Sequence, residues 1–158
     1  MNSFDTARKI AHSADNMYAL VADVERYPEF VPLCGGLKVT SREGIAGGEQ
    51  VLADMTAGYK AFRETFRSRV TLQPAKRKIL VEYVDGPFRH LENRWSFAAL
   101  GERACEVSFF IEYEFRSRTL QLVAGAVFEH GFRRFVYAFE GRADALYGKT
   151  NSPTEAKL

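Results

Sequence analysis

The chain has 158 residues, 46% of them hydrophobic and 13% aromatic, which is enough to bury a core in one compact unit. Its 22 Lys+Arg against 20 Asp+Glu leave a formal charge of +2, too even a balance to mark a nucleic-acid binder, although a local basic face stays open. Two cysteines, Cys34 and Cys105, with no CxxC pair and no apolar leader in MNSFDTARKIAHSAD, argue against a disulfide framework and against export. The expected compartment is therefore a reducing cytoplasm, and the longest apolar run, LQLVAGAVF from Leu120, is far short of the roughly 20 residues a bilayer-spanning helix needs.

In chain order, DTARKIAH reads as a first strand, and Ser13 with Asp15 as the cap and acidic first turn of a short helix through Met17, Leu20 and Val21. Pro28 and Pro32 confine YPEFVP to a helical turn or loop. LKVTSRE, EQVLADMTAGY, AFRETFRSRVTL, KILVEYV, HLENRWSFAAL and CEVSFFIEYEF then follow the two-residue period of strands, separated by Gly-, Pro- and Asp-bearing turns. In the last of these, Val107, Phe109, Ile111, Tyr113 and Phe115 share one face and Ser108, Glu112 and Glu114 the other, so the sheet has a wet side.

From Ser117 the period becomes helical, with Leu120, Val123, Val127, Phe128, Phe135, Ala138, Phe139 and Leu146 on one broad stripe. A single helix to Tyr147 would be ~45 Å long at 1.5 Å per residue, enough to cross a whole sheet. Gly125, Gly131 and Gly141 inside it point to close approach or a bend. Antiparallel strands around one long helix make an α+β two-layer unit, and a strongly curved sheet leaves a hollow between the layers.

Three stretches carry a resemblance: YALVADVERYPEFVPLCGG, VDGPFRHLENRWSF, and VF…AFEGRADALYG. They are similar to the START-like, polyketide cyclase/dehydrase superfamily, and within it to the coenzyme Q-binding branch that also includes ribosome-association toxins. The most specific combinations are DGPF at Asp85 to Phe88 followed by Trp95, and YPEF at Tyr27 to Phe30 followed by Pro32 and Cys34. One departure is Leu33, where mitochondrial members often carry an aromatic residue between the proline and the cysteine. The resemblance implies a helix-grip fold over residues 1–148 as one domain, a disordered tail over 149–158, and a lipophilic cavity holding ubiquinone or a similar isoprenoid lipid, with no catalytic cofactor. It also implies a role in respiration, and its toxin members imply a ribosome partner as the alternative.

Under that resemblance, Leu33, Phe62, Phe66, Trp95, Phe97, Tyr113, Val127, Phe128 and Phe135 are the candidate ligand contacts. Each has a plainer reading as core. Trp95 and Phe97 share a strand face with Leu91 and Asn93, and a buried indole N–H wants a partner. Phe62, Glu64, Phe66, Ser68 and Val70 alternate inward, placing Glu64 either as a polar anchor for a ligand headgroup or, more plainly, as a partly exposed strand end or a structural partner of a nearby Arg.

Catalysis has less support. His12, His90 and His130 show no metal-ligand spacing, no nucleophile elbow occurs, and Cys34 has no identifiable histidine partner, so no catalytic or metal residue is expected. On the outer face, Arg63, Arg67 and Arg69 alternate beside Lys60, a stripe that suits anionic lipid headgroups or ribosomal RNA, or is simply solvated. The expectation is a cytoplasmic protein with weak contact at the inner membrane face.

Overall fold

The computed structural model describes residues 1–59 and 62–148, with only the backbone at positions 59 and 62. Lys60, the Phe62 side chain and the tail from 149 lie outside the described residues.

The elements follow the expected order. Strand β1 is Asn2–Ile10, helix α1 is Ala14–Ala22, and a 3-10 helix spans Val24–Glu29. Then come β2 Cys34–Ile45, β3 Gly48–Tyr59, β4 Phe62–Gln73, β5 Lys78–Asp85, β6 Phe88–Gly101 and β7 Ala104–Phe115. Helices α2 Arg118–Arg133 and α3 Phe135–Tyr147 complete the fold. The caps are local chemistry: Ser13 Oγ accepts from the Asn16 N–H and Ser117 Oγ from the Leu120 N–H, each at 3.0 Å, satisfying donors that the first turn leaves free.

The strands form one sheet in the order β1-β7-β6-β5-β4-β3-β2, with each neighbouring pair antiparallel. Along β7, buried and half-buried residues alternate without a break, so the face holding Val107, Phe109, Ile111, Tyr113 and Phe115 is the inner one, as its pattern predicts. The sheet curves, and the helices cover its concave face.

The carboxy-terminal segment is helical where expected, but it is two helices divided at Arg134. The Arg134 N–H bonds back to the Gly131 carbonyl at 3.0 Å, a tightened last turn, and α3 restarts as the Ala138 N–H bonds to the Arg134 carbonyl at 2.9 Å. The buried face is also rotated from the expected stripe. Ala124, Phe128, Phe132, Val136, Phe139 and Ala143 are buried, whereas Val123 is 61% and Leu146 53% exposed. Polar contacts fasten α3 to the amino-terminal third: ion pairs from Arg8 Nε to Glu140 at 2.7 Å and from Arg142 to Glu29, and a hydrogen bond between His12 Nε2 and Asp144 at 2.7 Å.

The motif residues explain themselves as packing. Gly86 sits at φ 142°, where a side chain is strained, and a Cβ there would lie 2.6 Å from Phe66 Cβ, so the β5–β6 turn can close only around glycine. Phe88, fully buried, is then ringed by Phe66, Phe115 and Phe128. Tyr27 and Phe30 both meet Phe139 edge-on, at 5.2 and 5.0 Å, and the Tyr27 hydroxyl donates to the Val21 carbonyl. The YPEF segment therefore clamps α3 to the 3-10 helix.

Candidate ligand cavity

Between the concave face and the helices lies an internal cavity of about 80 Å³. Its sheet wall comes from Ala53 and Met55 of β3, Phe66, Ser68 and Val70 of β4, Val81 of β5, and Asn93 and Trp95 of β6. Phe132, Phe135 and Phe139 close it from the helices, and Tyr27 and Val24 from the 3-10 segment. No described residue along this wall is charged. Burial of Tyr27 holds its phenol far above the usual tyrosine range, so it too stays neutral.

Polar side chains on the wall are few: Tyr27, Ser68, Asn93 and the Trp95 indole. Trp95 is 4% exposed, and its indole N–H donates to Asn93 Oδ1 at 2.9 Å; Asn93 Nδ2 donates in turn to the Phe110 carbonyl at 2.9 Å. The indole partner that the sequence demanded is thus Asn93, two residues away on the same face. Ser68 is 6% exposed, and its Oγ has no hydrogen-bond partner among the described residues.

Of the candidate contacts, Phe66, Trp95 and Phe135 line the cavity. Phe97, Tyr113 and Phe128 are buried but do not line it: Phe97 stacks on Trp95 at 6.1 Å, Tyr113 meets Phe132 at 5.0 Å, and Phe128 meets Phe115 at 5.4 Å. Val127 and Leu33 are half-buried and also off the wall. Leu33 has φ 67°, in the left-handed region, and its side chain fills the groove left by Gly131, where a Cβ would be 2.6 Å from Leu33 Cδ1. Glu64 is half-exposed, matching the plainer of its two readings. Ser68, Asn93, Met55, Phe132 and Phe139 join the wall without having been singled out as contacts, although the inward alternation around Phe66 and Trp95 already carried Ser68 and Asn93.

Other reactive groups are occupied or quenched. Burial lifts the thiols of Cys34 and Cys105 to about 11, which leaves them protonated at neutral pH. His90 pairs with Glu112 at 2.6 Å and His130 accepts from Arg134 at 2.8 Å. On the outer face Arg63, Arg67 and Arg69 are exposed, and Arg67 grips Asp54 through two bonds of 2.8 and 3.2 Å. Asp54 is thereby held below the usual carboxylate range, first by that hydrogen bond. A shallower hollow of about 480 Å³ lies on the same outer side, over Ala7, Ser96 and Ser108 between exposed Lys78 and Arg94. It shares Trp95 with the cavity, its other lining residues differ, and it is flanked by solvated charge.

A curved antiparallel sheet gripping carboxy-terminal helices is the START-like helix-grip fold. The chain superposes on a START superfamily protein from Mycobacterium smegmatis with a TM-score of 0.72 at 22% identity, over 91% of this chain and 98% of the other. The chain belongs to the polyketide cyclase / dehydrase and lipid transport family, whose pattern matches residues 10–140. Among its relatives, the ribosome association toxin RatA of Escherichia coli (strain K12) is 35% identical over 87% of this chain and 84% of its own length. The mitochondrial coenzyme Q-binding protein COQ10 homolog B of Xenopus laevis is 30% identical over 97% of this chain and 62% of its own.

Proposed function

We propose that the protein is a non-enzymatic carrier of ubiquinone or a closely similar isoprenoid quinone, working in the cytoplasm with weak contact at the inner membrane face. The observation that carries this reading is the cavity wall, which is rich in rings, free of charge, and furnished with a few neutral polar groups. Such a wall suits a neutral lipid, and its described residues include no charged group to act on one. The likeness to a coenzyme Q-binding protein supplies the quinone, and burial of the isoprenoid at about 25 cal/mol per Å² supplies most of the affinity. At about 80 Å³ the cavity is smaller than the roughly 300–1,000 Å³ of typical ligand pockets, so entry requires the half-buried Phe135, Leu37 and Met55 to swing outward.

The likeness to RatA supports a second reading, binding to the large ribosomal subunit. One preparation separates the two. Organic extraction of freshly purified protein followed by mass spectrometry should yield a quinone; an extract without quinone, together with co-sedimentation with the large subunit, would transfer the assignment to the ribosome.

A further inference from the structure

Ser68 and Asn93 are the two polar side chains of the sheet wall that lie inside an otherwise apolar cavity, with exposures of 6% and 8%. They sit on β4 and β6 with β5 between them, and both point inward from the same concave face. Asn93 is fixed in orientation, because Trp95 donates to its oxygen and its nitrogen donates to the Phe110 carbonyl. One amide proton and one lone pair of Asn93 are thereby used, leaving one of each. Ser68 differs: its hydroxyl has no partner among the described residues. A buried hydroxyl without a hydrogen bond is destabilising, and the inward neighbours Phe66 and Val70 show that an apolar residue suits this strand face.

The chemistry that would complete this site is narrow. A carboxylate or phosphate would arrive unpaired, because the wall contains no cation. A hydrocarbon end would leave the Ser68 hydroxyl unsatisfied. A neutral carbonyl oxygen accepts the Ser68 O–H and adds no charge.

We propose that the ligand enters head first, its neutral carbonyl oxygen accepting a hydrogen bond from Ser68 Oγ, with the apolar tail along Phe132 and Phe135. This inference rests on the quinone-carrier reading and adds to it the orientation of the ligand and the residue that sets it.

The test uses the whole chain, its Ser68→Ala variant and three probes: decylubiquinone, decylbenzene and decanoate. Trp95 is the single tryptophan, lies on the wall, and reports quinone binding by quenching of its fluorescence. The other two probes are followed by the rise in melting temperature they cause. S68A should weaken decylubiquinone by about five- to tenfold, the size of one hydrogen bond, and leave decylbenzene unchanged. Without ligand, S68A should melt at or above the temperature of the unmodified protein, since it removes an unsatisfied group. Decanoate should bind far more weakly than decylubiquinone. Unchanged decylubiquinone affinity in S68A, an equal loss of decylubiquinone and decylbenzene, or decanoate binding as tightly as the quinone would each overturn the head-first inference and leave the carrier reading standing. Failure of the unmodified protein to bind decylubiquinone overturns both.

Discussion

Cys34 and Cys105 show how burial alone decides a residue's chemistry. Each thiol is lifted from an ordinary value of 9.0 to about 11, chiefly by desolvation. The unfolded chain therefore loses these protons first as pH rises. Their contribution to stability is full below pH 9, declines through the interval to about 11, and is joined above pH 10 by that of Tyr113, which burial pushes to about 12. Melting temperatures should fall across pH 9 to 11, and Cys105→Ala should flatten that slope. At pH 7.5 neither thiol of the native protein should react with iodoacetamide on the timescale of free cysteine, and rapid labelling of Cys34 would revive a nucleophilic role. A second pair of residues separates core from cavity. Phe128 is 4% exposed and ringed by Phe88, Phe115 and Phe132, so Phe128→Ala should cost about 3–5 kcal/mol in urea denaturation. Phe135 is half-buried on the cavity wall, so Phe135→Ala should cost about 1–2 kcal/mol and reduce quinone retention. The sequence could not divide these two, because period reports which side of a helix is apolar and not whether the opposing surface is in contact or set back.

At the scale of elements, strands were legible and the helices only partly so. A strand's side chains point either in or out, and the inward sets Leu91, Asn93, Trp95 and Phe97 of β6 and Val107 to Phe115 of β7 match their alternation, which β6 breaks only where its register shifts at either end. A helix offers a continuous choice of phase. The run Leu120 to Phe128 is apolar at nearly every position, so its composition leaves the buried side open, and the sheet selects Ala124 and Phe128 while Leu122 stands 85% exposed. The division at Arg134 left no proline to mark it; the nearest sign is Gly131, where α2 presses on Leu33. Two glycines make this testable. Gly141 lies in α3 with nothing within 4 Å of a Cβ, so Gly141→Ala should stabilise by about 0.5–1 kcal/mol through helix propensity. Gly131→Ala places a methyl 2.6 Å from Leu33 Cδ1 and should destabilise by about 1–3 kcal/mol despite the same propensity gain. Equal shifts in the urea midpoint for the two variants would show that the α2 contact with Leu33 is loose.

For the whole molecule, the outer face sets the terms of contact with other surfaces. The arginine stripe of β4 is diluted by acids on the adjoining strands. Arg67 faces Asp54 and Asp85, and Arg69 faces Glu82. With Arg67 held by Asp54, mainly Arg63 and Arg69 project a field, and exposed charges are screened within about 8 Å at physiological salt. Flotation with anionic vesicles should be detectable at low salt, vanish near 0.15 M, and be lost at low salt in a double Arg63→Glu, Arg69→Glu variant, whereas Arg67→Ala should matter less. Flotation indifferent to salt would assign docking to the exposed Leu122 and Val123 instead. Strand order has a consequence of another kind, in time. Among the described residues strand β1 finds its sheet neighbour in β7, with Asn2 opposite Tyr113 and Ile10 opposite Cys105. During synthesis β1 leaves the ribosome among the earliest of these elements and has no strand to pair with until nearly the whole sheet has followed it. The hairpins from β2 to β7 can zip locally, but closing the edge requires a long loop, and such distant pairings make folding slow. The charged Asp5, Arg8 and Lys9 on β1 keep that waiting strand soluble and discourage it from pairing with a neighbouring nascent chain.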